Sequence, residues 1–310
     1  MDANILDLIR SNDHLTVSRL ITHIENDKKI SNSVLEEIYK YGKDALRIGI
    51  TGPPGCGKST LTDQLIKQIL NDGQSVGVVA VDPTSPFTGG ALLGDRVRMN
   101  NYIWNDDVYI RSLGSQDSRG GLATKAQYIG DVIAASKKNV IIYETVGVGQ
   151  GEYDVSNAVD LTIVTLVPEA GDEIQLMKAG IIEVADIFVI NKSDRDGADR
   201  IYQSLKTMLH SFSDNKTLTP PVFSTCANIN KGIEELYMGM KNHIDILKGS
   251  GFFNKKRLDR HRKRVLDIIK NNLIKEFWTK EKIDLLNTKV NNIKSLKVSP
   301  YKLAKDISSL

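Results

Sequence analysis

Hydrophobic positions at the start of the chain recur every three to four residues. Ile5, Leu8 and Ile9, then Val17, Leu20, Ile21 and Ile24, predict two short amphipathic helices. A third is expected from about Ser33, with Glu36 three residues on as a capping box, to about Gly42. From residue 45 the pattern changes to short β-rich runs separated by helical stretches: 45–51, 75–82, 108–113, 140–145, 161–168, 187–191 and 221–225. These runs are nearly continuous in Val and Ile rather than alternating, as strands covered on both faces are. Alternating β and α of this kind predicts an α/β fold with a mostly parallel central sheet flanked by helices. A helix over 231–247 closes the unit, 248–251 reads as a linker, and a long basic amphipathic helix follows over 256–278. Its apolar stripe is Leu258, Val265, Ile269, Leu273 and Phe277. The pattern divides the 310 residues into a helical extension (1–44), a large α/β domain (45–247) and a helical arm (248–310).

Composition narrows this only a little. With 41% hydrophobic and 25% charged residues the chain is ordinary globular material, which excludes disordered and collagen-like classes. Two cysteines, Cys56 and Cys226, are too few for a disulfide framework. The first residues lack a basic leader and no apolar run reaches the length of a membrane span, so a soluble cytoplasmic protein with no membrane association is expected. The net charge of +3 gives no reason to expect nucleic acid as a partner. It is unevenly spread, since residues 251–310 carry 16 Lys and Arg against 6 Asp and Glu. A solvated helical face accounts for such a run, with an acidic partner, a membrane surface or nucleic acid as the alternatives. The five histidines are scattered without metal-ligand spacing, and Trp104 and Trp278 are expected to be packing residues.

The chemistry is concentrated in Gly52-Pro53-Pro54-Gly55-Cys56-Gly57-Lys58-Ser59, followed by Thr60. This is G-x-x-x-x-G-K-[ST], placed directly after a strand and opening a helix. Glycines there let backbone N–H groups turn inward around phosphate oxygens, and the helix N-terminus favours negative charge. Lys58 is expected to reach the β- and γ-phosphates and the Ser59 hydroxyl to ligate Mg²⁺. The segment predicts a P-loop nucleotide site. Asn191-Lys192-Ser193-Asp194 lies at the end of a later strand, where ligands bind in open α/β sheets. A carboxylate at Asp194 accepts both the ring N–H and the exocyclic amine of guanine, which adenine does not offer. The Lys192 stem can cover the ring. Ser224-Thr225-Cys226-Ala227, running on to Asn228, is positioned to add contacts to the base. Asp82 and Glu144 end two further strands, on the same sheet edge, as candidates to hold Mg²⁺ and orient the attacking water.

With these strings in hand the chain resembles a known family: the P-loop GTPases that chaperone adenosylcobalamin-dependent methylmalonyl-CoA mutase, labelled MeaB or ArgK-type. An older label for the family is lysine/arginine/ornithine transport kinase. The matching strings are 52–60, Asp82-Pro83-Thr84-Ser85-Pro86-Phe87-Thr88-Gly89-Gly90, Leu93-Gly94-Asp95-Arg96-Val97-Arg98-Met99 and Ser118-Arg119-Gly120-Gly121. To these are added Glu144-Thr145-Val146-Gly147-Val148-Gly149-Gln150, Gly171-Asp172-Glu173-Ile174-Gln175 and the N-K-x-D string. The Glu144 string discriminates best, because ordinary GTPases carry D-x-x-G there. The resemblance implies a GTPase of low intrinsic rate that uses GTP/GDP and Mg²⁺. It implies Asp82, Asp95 and Glu144 in Mg²⁺ and water positioning, and Lys178 in a switch that couples hydrolysis to a mutase. It also implies a homodimer through the C-terminal arm, with an adenosylcobalamin-dependent acyl-CoA mutase as partner. Cys226 departs from the family's usual Ser, and Lys178-Ala179 from a more usual Lys-Lys pair. The older label leaves a kinase, passing the γ-phosphate to a protein or small molecule, as the alternative.

Overall fold

The computed structural model of the 310-residue chain describes residues 2–28, 30–82, 102, 104–114, 121–145, 158–168, 181–212, 219–291 and 297–309. Residues Met1–Lys256 and Arg257–Leu310 form two compact units.

In the first unit, α1 (Asp2–Arg10), α2 (His14–Glu25) and α3 (Asn32–Gly42) precede β1 (Leu46–Thr51) and α4 (Lys58–Asn71). Then come β2 (Val76–Asp82), β3 (Val108–Gly114), α5 (Gly121–Ala135), β4 (Val140–Glu144) and β5 (Leu161–Leu166). The short α6 (Ile181–Val184), β6 (Ile187–Ile190), α7 (Ala198–Phe212), β7 (Val222–Ser224) and α8 (Ile233–Gly249) complete the order. The strands form one seven-stranded sheet, ordered β3-β2-β4-β1-β5-β6-β7, and every pairing is parallel. All seven expected strands are present, each within a residue or two of its expected ends.

Side chains alternate across this sheet between two apolar layers, which is why the strands read as unbroken Val/Ile runs. Ile48, Ile50, Val78, Ile142, Ile163 and Val189 face the layer built with Leu61, Leu65 and Ile69 of α4 and Leu236, Met240 and Ile244 of α8. On the opposite side Val79, Ile141 and Tyr143 meet Ile129 and Ile133 of α5 and the N-terminal helices, through Ile9, Val17, Ile21 and Ile38. Val164, Leu166 and Phe188 extend that side onto Leu205 and Leu209 of α7. The N-terminal helices therefore share the core of the sheet.

A buried ion pair ties them in. Arg47 Nη2 donates to Asp131 Oδ1 at 2.6 Å and lies 3.4 Å from Gly42 O, while the Arg47 backbone N–H donates to Asp160 Oδ2 at 2.9 Å. The end of α3, the start of β1 and the middle of α5 are thus fixed to one side chain.

Three local expectations change. The α3 N-cap is Ser31, two residues ahead of the expected start, so Ser33 and Glu36 lie inside the helix. Its alternation of serines offers two capping positions, and the helix begins from the earlier, with no capping hydrogen bond from the Ser31 side chain. The joint after α8 is shorter than 248–251, because Lys248 and Gly249 stay helical and α9 (Phe252–Phe277) starts directly after Gly251, which has φ +77°. Trp104 is 96% exposed, and Trp278 is also exposed, meeting its neighbour Phe277 edge-to-face at 5.2 Å, so neither is a core residue.

The second unit contains the rest of α9 with α10 (Lys280–Lys289) and α11 (Pro300–Ser308), capped by the side chains of Thr279 and Ser299. The stripe residues Leu258, Val265, Ile269 and Leu273 are exposed, as are Leu266 and Ile274. No helix among the described residues is long and apolar enough to cross a membrane.

Candidate functional site

The loop between β1 and α4 has the conformation that its glycines permit. Gly52, Gly55 and Gly57 have φ of +143°, +77° and +89°, in the region that side chains disfavour. Space enforces two of them. A Cβ on Gly52 would lie 2.0 Å from the Thr165 carbonyl oxygen of β5, and one on Gly57 would lie 2.4 Å from Asn191 Nδ2. Within the loop the Cys56 N–H donates to Pro53 O at 3.3 Å, and Cys56 is buried while Pro54 and Gly55 are exposed. The Lys58 ammonium donates to Gly52 O (2.9 Å) and Pro53 O (3.1 Å), so it points back over the loop it belongs to. Burial holds the Cys56 thiol above its ordinary pKa.

Beneath the loop, Ser59, Thr62 and Glu144 meet. Ser59 Oγ donates to Glu144 Oε1 at 2.5 Å, and Thr62 Oγ1 lies 3.1 Å from Glu144 Oε2 and 2.9 Å from Lys58 O. Thr60 is half-buried on the same first turn of α4. Helical geometry brings Ser59 and Thr62 onto one face, three residues apart. β4 ends at Glu144 beside β1, which ends at the loop, so the carboxylate reaches the helix across one strand spacing. Asp82 ends β2, the strand on the other side of β4, two residues beyond Ala80, which pairs with Glu144. The three chain ends therefore share one sheet edge, as the sequence reading requires. The side chain of Asp82, Asp95, Lys178 and the strings 83–90, 93–99, 118–120, 146–154 and 171–175 lie outside the described residues.

The donor set suits a hard divalent cation. Hydroxyl and carboxylate oxygens of Ser59 and Glu144 are in direct contact, which is the oxygen chemistry that Mg²⁺ takes. Among the described residues no three His, Cys, Asp or Glu side chains gather into a metal cluster.

A second network joins this loop to the region expected to hold the base. Asn191, at the end of β6, is 2% exposed and uses both ends of its amide. Nδ2 donates to Cys56 O at 2.9 Å, while Oδ1 accepts from Thr225 Oγ1 and from the Ala227 N–H, both at 3.1 Å. Lys192, with φ +57°, extends its ammonium to Gly55 O at 2.8 Å. The Ser193 N–H donates to Thr225 O at 3.0 Å, and Gln64 of α4 donates to Ala227 O at 3.1 Å. Asp194 is exposed on the turn and accepts a 3.0 Å hydrogen bond from the Cys226 thiol on Oδ1. That bond, above the other influences, lowers the Asp194 pKa and raises that of Cys226. Ala227 and the exposed Asn228 lie in the 3₁₀ turn that follows Cys226.

The structure thus brings together Gly52, Cys56, Gly57, Lys58, Ser59 and Glu144 on one side, and Asn191, Lys192, Asp194, Cys226 and Ala227 on the other. It adds Thr62 and Gln64, which the sequence reading did not single out as site residues, and gives Thr225, expected only in the base-side string, a side-chain bond to Asn191. Thr62 had a local signal, its position on the Ser59 face of the helix. Gln64 reaches a partner 163 residues away, with no spacing to betray it.

Comparisons with known proteins agree with this geometry. Residues 17–282 match the family described as "Methylmalonyl Co-A mutase-associated GTPase MeaB". The chain is 45% identical over 269 residues to a protein of Pyrococcus abyssi that carries a provisional GTPase name, covering 86% of this chain and 82% of that one. It is 35% identical over 254 residues to the GTPase ArgK of Escherichia coli, covering 78% and 76%. The crystal structure of a LAO/AO transport system kinase has the same fold, with a TM-score of 0.71, 24% identity, and coverage of 99% and 96%.

Proposed function

The chain belongs to the MeaB family of methylmalonyl-CoA mutase-associated GTPases, and from that premise we propose that it hydrolyses GTP to gate adenosylcobalamin loading, or protection of the loaded cofactor, on a B12-dependent acyl-CoA mutase. The client is methylmalonyl-CoA mutase or a relative. One observation carries the nucleotide half of this reading: Asn191 connects the glycine loop at Cys56 to Thr225 and Ala227, so that the phosphate-side and base-side segments form one rigid surface.

Along that surface Lys58 leaves the loop carbonyls for the β- and γ-phosphate oxygens, which are stronger acceptors because they are charged. Ser59 and Glu144, with Asp82 and Asp95, would hold Mg²⁺, which when bound would draw charge from the phosphoryl oxygens. Glu144 and the other carboxylates orient a water in line with the Pγ–O bond. That bond breaks as the water oxygen attaches to phosphorus, giving GDP and phosphate. Asp194 accepts N1–H and the 2-amino group of guanine, and the Lys192 stem covers the ring. Turnover is slow without a partner, and Lys178 transmits the change of nucleotide state to the mutase. The exposed stripe residues Leu258, Val265, Ile269 and Leu273 support a homodimer through the C-terminal arm.

Steady-state GTP hydrolysis, with and without the source organism's adenosylcobalamin-dependent mutase, tests the proposal. Stimulation by the mutase that is lost in Lys178→Ala is the expected result. A rate unmoved by saturating mutase removes the partner from the reading and leaves a GTPase.

A further inference from the structure

We propose that Thr62 is a positioning residue for hydrolysis: its buried hydroxyl holds Glu144 Oε2, so that the glutamate keeps one orientation while Ser59 serves Mg²⁺. The inference rests on the reading of Glu144 as a carboxylate that serves Mg²⁺ and the attacking water.

A glutamate carboxylate turns about three side-chain bonds, and fixing it costs rotamer entropy that a single hydrogen bond offsets poorly. Glu144 is gripped at both oxygens by hydroxyls on one face of α4, Ser59 Oγ on Oε1 at 2.5 Å and Thr62 Oγ1 on Oε2 at 3.1 Å. All three side chains are buried, Thr62 completely. A carboxylate in such a setting requires donors, because an unpaired buried charge is costly. Ser59 has a second duty in the proposed function, as a ligand of Mg²⁺, and so is not a constant anchor. Thr62 is one: its other partner is Lys58 O at 2.9 Å, a carbonyl of its own helix.

The contrasting case is a threonine that only bonds back along its helix. Thr207 and Thr288 do so, onto Gln203 O at 2.9 Å and Asp284 O at 2.8 Å, and both bonds are exposed. Thr62 makes the same bond in a buried setting with a carboxylate oxygen also in reach, and its one hydroxyl proton is divided between two acceptors. The charged oxygen is the stronger acceptor. By helical geometry the Lys58 carbonyl also receives the Thr62 backbone N–H, so it stays satisfied when the hydroxyl turns to Glu144.

The test uses the full chain with Thr62→Val, which keeps the shape and loses the hydroxyl, and Thr62→Ser, which keeps the hydroxyl. Glu144→Ala and the Thr62→Val/Glu144→Ala double variant complete the set. Two properties are read: steady-state GTP hydrolysis, and binding of a fluorescent, non-hydrolysable GTP analogue in EDTA and across a Mg²⁺ titration. Thr62→Val should lower kcat about tenfold, the loss of one hydrogen bond to a charged group, with the KM for GTP near wild type. The Mg²⁺ midpoint for analogue binding should rise about fivefold on the same ground, while affinity in EDTA is unchanged. Thr62→Ser should restore both. Glu144→Ala should lower kcat and raise the midpoint by itself, and adding Thr62→Val to it should change neither further. Wild-type kcat and midpoint in Thr62→Val, beside an impaired Glu144→Ala, overturn the positioning role. So does an equal loss of analogue affinity with and without Mg²⁺, or full additivity in the double variant, since a purely structural threonine gives both. If Glu144→Ala itself matches wild type, the reading of Glu144 falls and the proposal with it. Should melting curves show that Thr62→Val does not fold, Thr62→Ala, which overfills nothing, carries the same comparison.

Discussion

The contact between Gly57 and Asn191 allows the connection between the glycine loop and the base-side turn to be measured as a coupling energy. In Gly57→Ala the new Cβ meets two penalties. The backbone at φ +89° disfavours any side chain by about 1–2 kcal/mol. The Cβ would also sit 2.4 Å from Asn191 Nδ2, which is pinned by its bond to Cys56 O and must break that bond to move away, at about 1 kcal/mol. The single substitution therefore costs about 2–3 kcal/mol. Asn191→Ala removes three hydrogen bonds and leaves the partners at Cys56, Thr225 and Ala227 in a buried setting, about 3 kcal/mol in all. In the double variant the clash has no object and the Cys56 bond is lost only once. The two costs should then fall short of additivity by about 1 kcal/mol, outside the few tenths expected of independent sites. Urea denaturation of the four proteins in the absence of nucleotide gives the cycle, and titration with a fluorescent GDP analogue gives the same cycle for binding. Strict additivity in the stability cycle would refute the claim that Asn191 occupies the space a residue 57 side chain needs.

Two further outcomes follow from buried charge. Arg47→Met should lower the unfolding free energy by about 3–5 kcal/mol by stranding Asp131, and Arg47→Met with Asp131→Leu should recover more than half of it; urea midpoints for the three variants decide, and no recovery would mean the pair is not the cause. Lys138, which donates to Asn12 Oδ1 and Asp106 O, is brought down to about 8 by burial, against the pull of Asp107 and Asp106. Its folded pKa lies below the unfolded one, so the penalty is in full force below pH 8 and relaxes as pH rises from 8 towards 10.5, where stability should climb by up to about 3 kcal/mol. Melting curves from pH 7 to 10 should show that rise in wild type and lose it in Lys138→Met.

How much of this could be read from the sequence follows the range of the interactions. The seven strands were legible because each is buried on both faces, so local composition reports the tertiary setting directly; β4 is five consecutive buried residues, Val140–Glu144. The glycine loop was legible because its constraint is local backbone geometry, written in the glycines themselves. The N-cap of α3 was misplaced for the opposite reason. Ser33 with Glu36 offers the stronger local signal, yet the helix starts two residues earlier, from Ser31. Trp104 misled because a large apolar side chain is a good prior for burial and says nothing about a particular turn.

The partners of the site residues were out of reach on the same argument. Motif spacing identifies Lys58, Ser59, Glu144, Asn191 and Asp194 one by one, but their arrangement depends on which strands become neighbours. β1 lies between β4 and β5, so Glu144 comes from one side of the loop and the Thr165 carbonyl, which excludes a side chain at Gly52, from the other. β6 lies one strand further out, and this sets the reach that Asn191 must span to Cys56. Its short amide spans it because the loop carbonyl turns outward at the residue between Gly55 and Gly57. An aspartate at 191 would have the same length but could not donate to Cys56 O, and a glutamine would overshoot both Thr225 and Ala227. The asparagine is therefore specified by three simultaneous distances, set by strand order, that no single stretch of sequence contains.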